Sequence, residues 1–139
     1  DHSMTRFSLT LDQSFNFALL SLKMMIGGEL FVPKIATYKI LDLIEAIGFK
    51  KKPKIIGLRP GEKINEELIS KSDSVLTFST KEFYIIRPHT KVAPWSEKKF
   101  LKVNKIKKII YCKKDFSYSS DNTMKVLTKI ELKKLMSQL

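Results

Sequence analysis

The chain is rich in lysine and holds three arginines, Arg6, Arg59 and Arg87. Arg59 stands in the stretch Ile55-Ile56-Gly57-Leu58-Arg59-Pro60-Gly61-Glu62-Lys63. The apolar run Ile55–Leu58 predicts a strand, which puts Arg59 at its C-terminal end, where α/β folds bind ligands. Pro60 turns the chain, and Gly61–Lys63 is expected to open a short helix over Ile64–Ile69, with N-terminal amides that favour anions. A guanidinium there forks onto a diphosphate, and Glu62 accepts hydrogen bonds from vicinal sugar hydroxyls. Arg6, in Met4-Thr5-Arg6-Phe7, adds a second positive charge ahead of the first helix. The same residues also read as a surface Arg–Glu turn pair plus an arginine at a helix start. Residue chemistry alone leaves both readings open.

Other chemistry finds little support. His2 and His89 have no nucleophile in a triad context, so no catalytic residue is assigned. One cysteine, Cys112, and two distant histidines give no metal-ligand spacing. No glycine-rich fingerprint follows a strand, so Gly27-Gly28 and Gly61 are read as a helix stop and a turn. Glu66 and Glu67 are adjacent and would point to different sides of a helix.

The elements that must hold these residues follow from periodicity and caps. Thr10 and Gln13 form a capping box. Leu11, Phe15, Ala18, Leu19, Leu22 and Ile26 recur at helical spacing, predicting a helix that packs by that face. Glu29–Val32 is a predicted strand ended by Pro33. Thr37 is expected to cap a second helix, with Ile40, Leu43, Ile44 and Ile47 on one face and Gly48 at its end. Val75–Phe78 and Phe83–Ile86 read as a hairpin around Ser79-Thr80-Lys81. Thr90–Lys114 reads as a loop with some strand near Ile109–Tyr111. Thr128 and Glu131 make a second capping box, with Leu127 and Leu132 as its hydrophobic staple, for a helix to about Met136. The order is an α/β pattern, though two single strands are thin for an independent parallel sheet. The chain opens without a strand before its first helix, and the expectation is a part of a larger protein.

At 139 residues with 43% hydrophobic content, the chain can bury one core. No apolar run approaches the roughly 20 residues that span a bilayer, and Asp1–Phe7 lacks the features of a signal peptide. A lone cysteine suits a reducing cytoplasm. The net charge of +12 invites a nucleic-acid-binding reading. The basic residues are nearly all lysine, without the arginine forks or aromatic platforms of such surfaces. The run Lys98–Lys114 is therefore taken as a solvated face.

Five stretches in series carry a resemblance: MTRF before a capped helix, GGELFVPK, IIGLRPGEKINEELI, EFYIIRP, and YSSDN before the last helix. Together, from Met4 to Met136, they resemble the C-terminal part of the inverting UDP-N-acetylglucosamine 4,6-dehydratases. These are extended short-chain dehydrogenases of the polysaccharide biosynthesis protein family. The resemblance is weakest over Thr90–Asp115, and RPGE alone is shared with nucleotide-sugar epimerases. It implies an α/β fold that is the C-terminal, substrate-binding part of such an enzyme and lacks most of the Rossmann sheet. One domain over residues 1–139 is expected, with a helix and strand core bearing the RPGE turn in 1–72 and a hairpin, loop and C-terminal helix in 73–139.

By that resemblance, Arg59 contacts the UDP diphosphate, Glu62 the uridine ribose and Arg6 a further phosphate, with Thr5 and Met4 near the nucleotide. The family's reaction oxidises C4 of the sugar, eliminates water across C5 and C6, and returns the hydride to C6 with inversion at C5. The implied cofactor is NADP, or NAD, in the full-length enzyme, and none is expected on this chain alone. The family's Tyr-x-x-x-Lys pair is missing: four residues after Tyr38, Tyr84, Tyr111 and Tyr118 stand Asp42, Pro88, Asp115 and Asn122. Asn65 stands where relatives often carry His, and is given no role. The expected partners are a UDP-sugar, an N-terminal Rossmann domain and further copies of the chain. Nucleic acid and a membrane span are not expected. A UDP-sugar epimerase, a C5-epimerising dehydratase and a nucleic-acid module are the alternatives. In the family the strand of ELFV joins the Rossmann sheet, so the isolated chain is expected to lack its partners and to be marginal or self-associating.

Overall fold

The computed structural model describes residues 1–89 and 95–137. The first half of the chain forms β1 (Thr5–Phe7), α1 (Leu11–Met24), β2 (Leu30–Pro33), β3 (Thr37–Lys39), α2 (Ile40–Ala46) and β4 (Glu67–Ile69). A 3-10 helix, Lys71–Leu76, leads to β5 (Thr77–Ser79), β6 (Phe83–Ile86), α3 (Glu97–Asn104), β7 (Ile110–Tyr111), β8 (Tyr118–Ser119) and α4 (Lys129–Met136). The fold is mixed α and β. Its two units interleave along the chain: unit 1 is Asp1–Ser8, Ile35–Glu67 and Tyr118–Leu139, and unit 2 is Leu9–Lys34 and Leu68–Ser117.

In unit 1, β1 and β3 pair antiparallel, with Arg6 opposite Tyr38 and Phe7 opposite Thr37. The Thr37 amide donates to the Lys125 carbonyl (3.0 Å) and its carbonyl accepts from the Leu127 amide (2.7 Å). Thr37 is thus a buried strand residue, and the expectation that it caps the second helix is corrected. α2 starts three residues later behind Lys39, which makes no side-chain cap. α2 packs against α4, where Lys129 pairs with Asp42 (3.7 Å) and Glu45. The Thr128–Glu131 capping box forms as expected, and the staple residues Leu127 and Leu132 are buried.

Two expected elements around the RPGE turn are absent. Ile55–Leu58 is irregular rather than a strand. Gly57 takes φ 78°, which a strand does not accommodate, and Ile55, Ile56 and Leu58 are exposed without a pairing partner. The helix expected over Ile64–Ile69 is replaced by extended chain and β4. The backbone groups of Ile64 and Glu66 bond outward to neighbouring segments, so no helical ladder is left to form.

Unit 2 is built on an antiparallel sheet in the order β2-β6-β5-β7. The hairpin read from sequence forms, with Phe78 opposite Ile85, but its first strand is Thr77–Ser79 rather than Val75–Phe78, because Val75 and Leu76 close the 3-10 helix. All four residues of β2 pair with β6, Leu30 with Ile86 through Pro33 with Phe83. That corrects the expectation for ELFV: its partner is the hairpin's own second strand. Phe78, Phe83, Ile85, Phe100 and Ile109 form the core. Phe78 meets Phe100 edge-on (centroids 5.6 Å), a favoured aromatic geometry.

The Thr10–Gln13 box starts α1 as expected, but the packed face differs. Phe17, Leu20 and Met24 lie on the core, whereas Leu11 (85% exposed), Phe15, Leu19 and Leu22 face outward. Periodicity identified an apolar stripe and could not tell which of two stripes is covered within the chain. α3, starting at the Ser96 cap, replaces part of the expected Thr90–Lys114 loop, of which residues 90–94 lie outside the described residues. Buried Glu29 closes the turn after α1, accepting from Trp95 Nε1 (2.7 Å), the Ile26 amide (3.0 Å) and the Gly27 amide (2.9 Å). Burial opposes its ionisation, but those donors outweigh it and lower its pKa.

Candidate functional site

Arg59-Pro60-Gly61-Glu62 is a tight turn. The Glu62 amide donates to the Arg59 carbonyl (3.0 Å), and Gly61 takes φ 85°. Pro at the second position and a positive φ at the third define a type II turn, which explains the Pro-Gly pair. The turn is closed a second time by the Arg59 amide donating to Glu62 Oε2 (3.0 Å). Arg59 Nε lies 3.9 Å from Glu62 Oε1, and the Arg59 side chain is 72% exposed. Its two terminal nitrogens make no hydrogen bond among the described residues, so they are open to an anion. No helix begins at Gly61–Lys63; the expected helix-terminus anion site is corrected to a reverse turn.

Arg6 does a different job. Nη1 donates to the carbonyls of Thr5 (2.6 Å) and Ile64 (3.0 Å), and Nη2 to the Lys63 carbonyl (3.1 Å) and Met4 Sδ (3.8 Å). Nε stands 3.5 Å from Glu66 Oε1. All five donors of the guanidinium are thereby directed, and they fasten the two residues that follow Glu62. Met4 is buried beneath this contact.

Thr5 belongs to a hydroxyl chain. Its Oγ1 donates to Asn65 Oδ1 (2.8 Å) and lies 2.6 Å from Ser120 Oγ. Ser120 Oγ donates to the Thr5 carbonyl (3.2 Å). Ser120 Oγ also accepts from the Glu66 amide (2.9 Å), and the Ser120 amide donates to the Glu66 carbonyl (2.8 Å). The Thr5 amide donates to the Ile64 carbonyl (3.1 Å). Segments MTRF, KINE and YSS are therefore laced together at Ser120, which is fully buried. Tyr38 lies across from Arg6; burial and the Glu66 carboxylate raise its pKa, against the opposing Arg6 charge.

Of the five residues singled out in the sequence, Thr5 and Arg6 meet the chain just beyond the turn, Met4 lies buried against Arg6, and Arg59 and Glu62 form the turn itself. Sequence reasoning missed Ser120, Asn65 and Glu66 as the residues that hold the arrangement. YSSDN was recognised as a motif, but nothing local to it signals a bond to a threonine 115 positions away. Chemically, the arrangement offers a positioned cation and a carboxylate on a braced turn, suited to binding an anionic, hydroxylated ligand.

The model of the polysaccharide biosynthesis protein family matches residues 1–88. Two inverting UDP-N-acetylglucosamine 4,6-dehydratases from strains of Campylobacter jejuni are 38% and 41% identical over 95% and 88% of this chain. The X-ray structure of Pen from Bacillus thuringiensis matches 99% of the chain with a TM-score of 0.72 and 29% identity. The chain spans 39% and 36% of the length of those two dehydratases and 38% of Pen. By the match over residues 1–88, the chain belongs to the polysaccharide biosynthesis protein family.

Proposed function

We propose that this chain is the UDP-sugar-binding, C-terminal part of a nucleotide-sugar 4,6-dehydratase acting in surface polysaccharide or glycan biosynthesis, within an extended short-chain dehydrogenase fold. The observation that carries the reading is the RPGE turn, with the Arg59 guanidinium presented to solvent and the following residues braced by Arg6. Arg59 grips the diphosphate of UDP by charge-assisted hydrogen bonds. Glu62 accepts from the ribose hydroxyls. Arg6, its donors engaged within the chain, adds positive charge toward a further phosphate without a direct hydrogen bond, with Thr5 and Met4 near the nucleotide. The substrate is UDP-N-acetylglucosamine, dehydrated across C5 and C6 with inversion at C5.

NADP, or NAD, supplies the hydride chemistry when bound to the whole enzyme. The residues present here do not fit that cofactor: Gly27 and Gly28 follow a helix, Gly57 lies in irregular chain, Gly61 sits in a turn, and no Tyr-x-x-x-Lys exists. No catalytic step is derived from this chain, whose role is to hold the substrate, in the cytoplasm and as part of a homo-oligomer.

Calorimetric titration with UDP tests the grip. Arg59→Ala is expected to cost about 1.5–3 kcal/mol, roughly ten- to a hundred-fold in Kd, without lowering the melting temperature. UDP itself is expected to raise that temperature. An unchanged affinity returns Arg59 to a surface turn pair; no thermal shift with millimolar UDP overturns the reading for this chain.

A further inference from the structure

The lysines of unit 2 are not spread evenly. Lys98, Lys99, Lys102, Lys105, Lys107, Lys108, Lys113 and Lys114 fall in 17 consecutive residues that contain no acid. Each is exposed, and no ion pair to any of them occurs among the described residues. Elsewhere Lys125 and Lys129 are paired with carboxylates, while Lys133 and Lys134 are exposed without an ion pair among the described residues but form no such run. On α3 the inward side is set by Phe100, fully buried, and by Asn104, whose Nδ2 donates to the Met24 carbonyl (3.0 Å). Lys98, Lys102 and Lys105 therefore line the outer face at helical spacing, beside Lys99 and the exposed Val103.

The helix and the edge strand β7 share one side of the core. Phe78 contacts both Phe100 and Tyr111, and Tyr111 Oη donates to Glu97 Oε2 (2.7 Å), occupying the acid that precedes the run. Ile110, 66% exposed, lies between the lysines on either side of it in sequence. A cavity of about 620 Å³ opens beside it, with Leu20, Met24, Phe83 and Ile106 as its apolar floor and Lys81, Glu82 and Lys108 on its lining.

We infer that this face of unit 2, α3 with the Lys105–Lys114 segment, is a peripheral docking surface for an anionic lipid bilayer. Charge complementarity selects the partner's sign, since clusters of four to eight lysines bind anionic headgroups. Exposed aliphatic side chains among the lysines fit a surface with hydrocarbon just beneath its charge. Nucleic acid would call for arginine forks or stacking rings, and the run has no arginine. No helix of the described residues is long and apolar enough to cross a membrane, so the contact is lateral. The inference is independent of the UDP reading.

Co-sedimentation of the full chain with phosphatidylcholine vesicles, with and without phosphatidylglycerol, tests it. Binding is expected only with the anionic lipid and is expected to weaken as salt rises. Lys102→Glu with Lys105→Glu should lower the partition coefficient by tenfold or more. Lys133→Glu with Lys134→Glu, the same charge change on exposed sites of α4, should leave it within about twofold. Equal loss in both double variants would reduce the effect to net charge and overturn the proposal. So would absence of vesicle binding at low salt, or duplex DNA displacing the chain from vesicles.

Discussion

In unit 2 aromatic rings close on the apolar Phe78, with Trp95 and Tyr111 each tied at the polar end to a glutamate, whereas the loops of unit 1 are joined through the hydroxyl of Ser120. Dispersion and apolar burial are non-directional, so the unit 2 sheet tolerates approximate placement of its rings. Hydrogen bonds weaken steeply off-axis, so the Ser120 network fixes where the RPGE turn stands relative to β1. A nucleotide grip needs that kind of orientation. The residues proposed to bind lie in the unit that hydrogen bonding organises, and the aromatic core cluster lies in the other.

The largest way to break this contrast is Phe78→Ala. A fully buried ring removed from between Trp95, Phe100 and Tyr111 should cost about 3–5 kcal/mol, a large share of a domain's usual 5–15 kcal/mol. Urea denaturation measures it, and a loss below about 1 kcal/mol would mean that the ring cluster is not what holds unit 2.

Ser120→Ala comes next. It strands the Glu66 amide and removes the hydroxyl that bonds Thr5, an unsatisfied-donor cost of about 1–3 kcal/mol. The comparison is sharpened by a second readout. UDP affinity should fall in Ser120→Ala although Ser120 touches no ligand in the proposed mode, because the turn loses its alignment. Destabilisation with unchanged UDP affinity would show that the network supports the fold without orienting the grip.

The contrast also explains what the sequence could reveal. Local devices were readable: both threonine capping boxes, the Ser79–Lys81 hairpin and the Pro-Gly turn each depend on residues within a few positions. Ile55–Leu58 misled because β-branched, apolar composition signals a strand only where a partner exists, and Gly57 turns that chain away. α3 was hidden among lysines, although Ser96 ahead of Glu97 is a helix-start signal. Residue chemistry offered Arg59 and Glu62 as candidates, and the family resemblance gave each its expected ligand group. It did not supply Ser120 or Asn65, whose partners lie 115 and 60 positions off. Long-range polar pairs leave no periodicity to read.

The smallest effect concerns a local cap of unit 1, and it separates local from long-range bonding by pH. Glu131 accepts from the Thr128 amide (2.9 Å), lies 3.0 Å from Lys125 Nζ and accepts from Thr128 Oγ1 (3.0 Å). Those bonds, the amide first, hold its pKa down at about 2, against about 4.3 for a free glutamate. A carboxylate depressed in the folded state stabilises above the unfolded value and loses that contribution as pH falls through the folded one. α4 should therefore keep its cap down to about pH 4 and fray progressively towards pH 2. An NMR titration of the Glu131 carboxyl carbon reads this directly. Lys125→Met should raise the midpoint only part of the way, because the Thr128 amide is the larger cause. A midpoint near 4.3 in the unaltered chain would mean that the box is open in solution. A midpoint fully restored to 4.3 by Lys125→Met would transfer the effect from the cap to the ion pair.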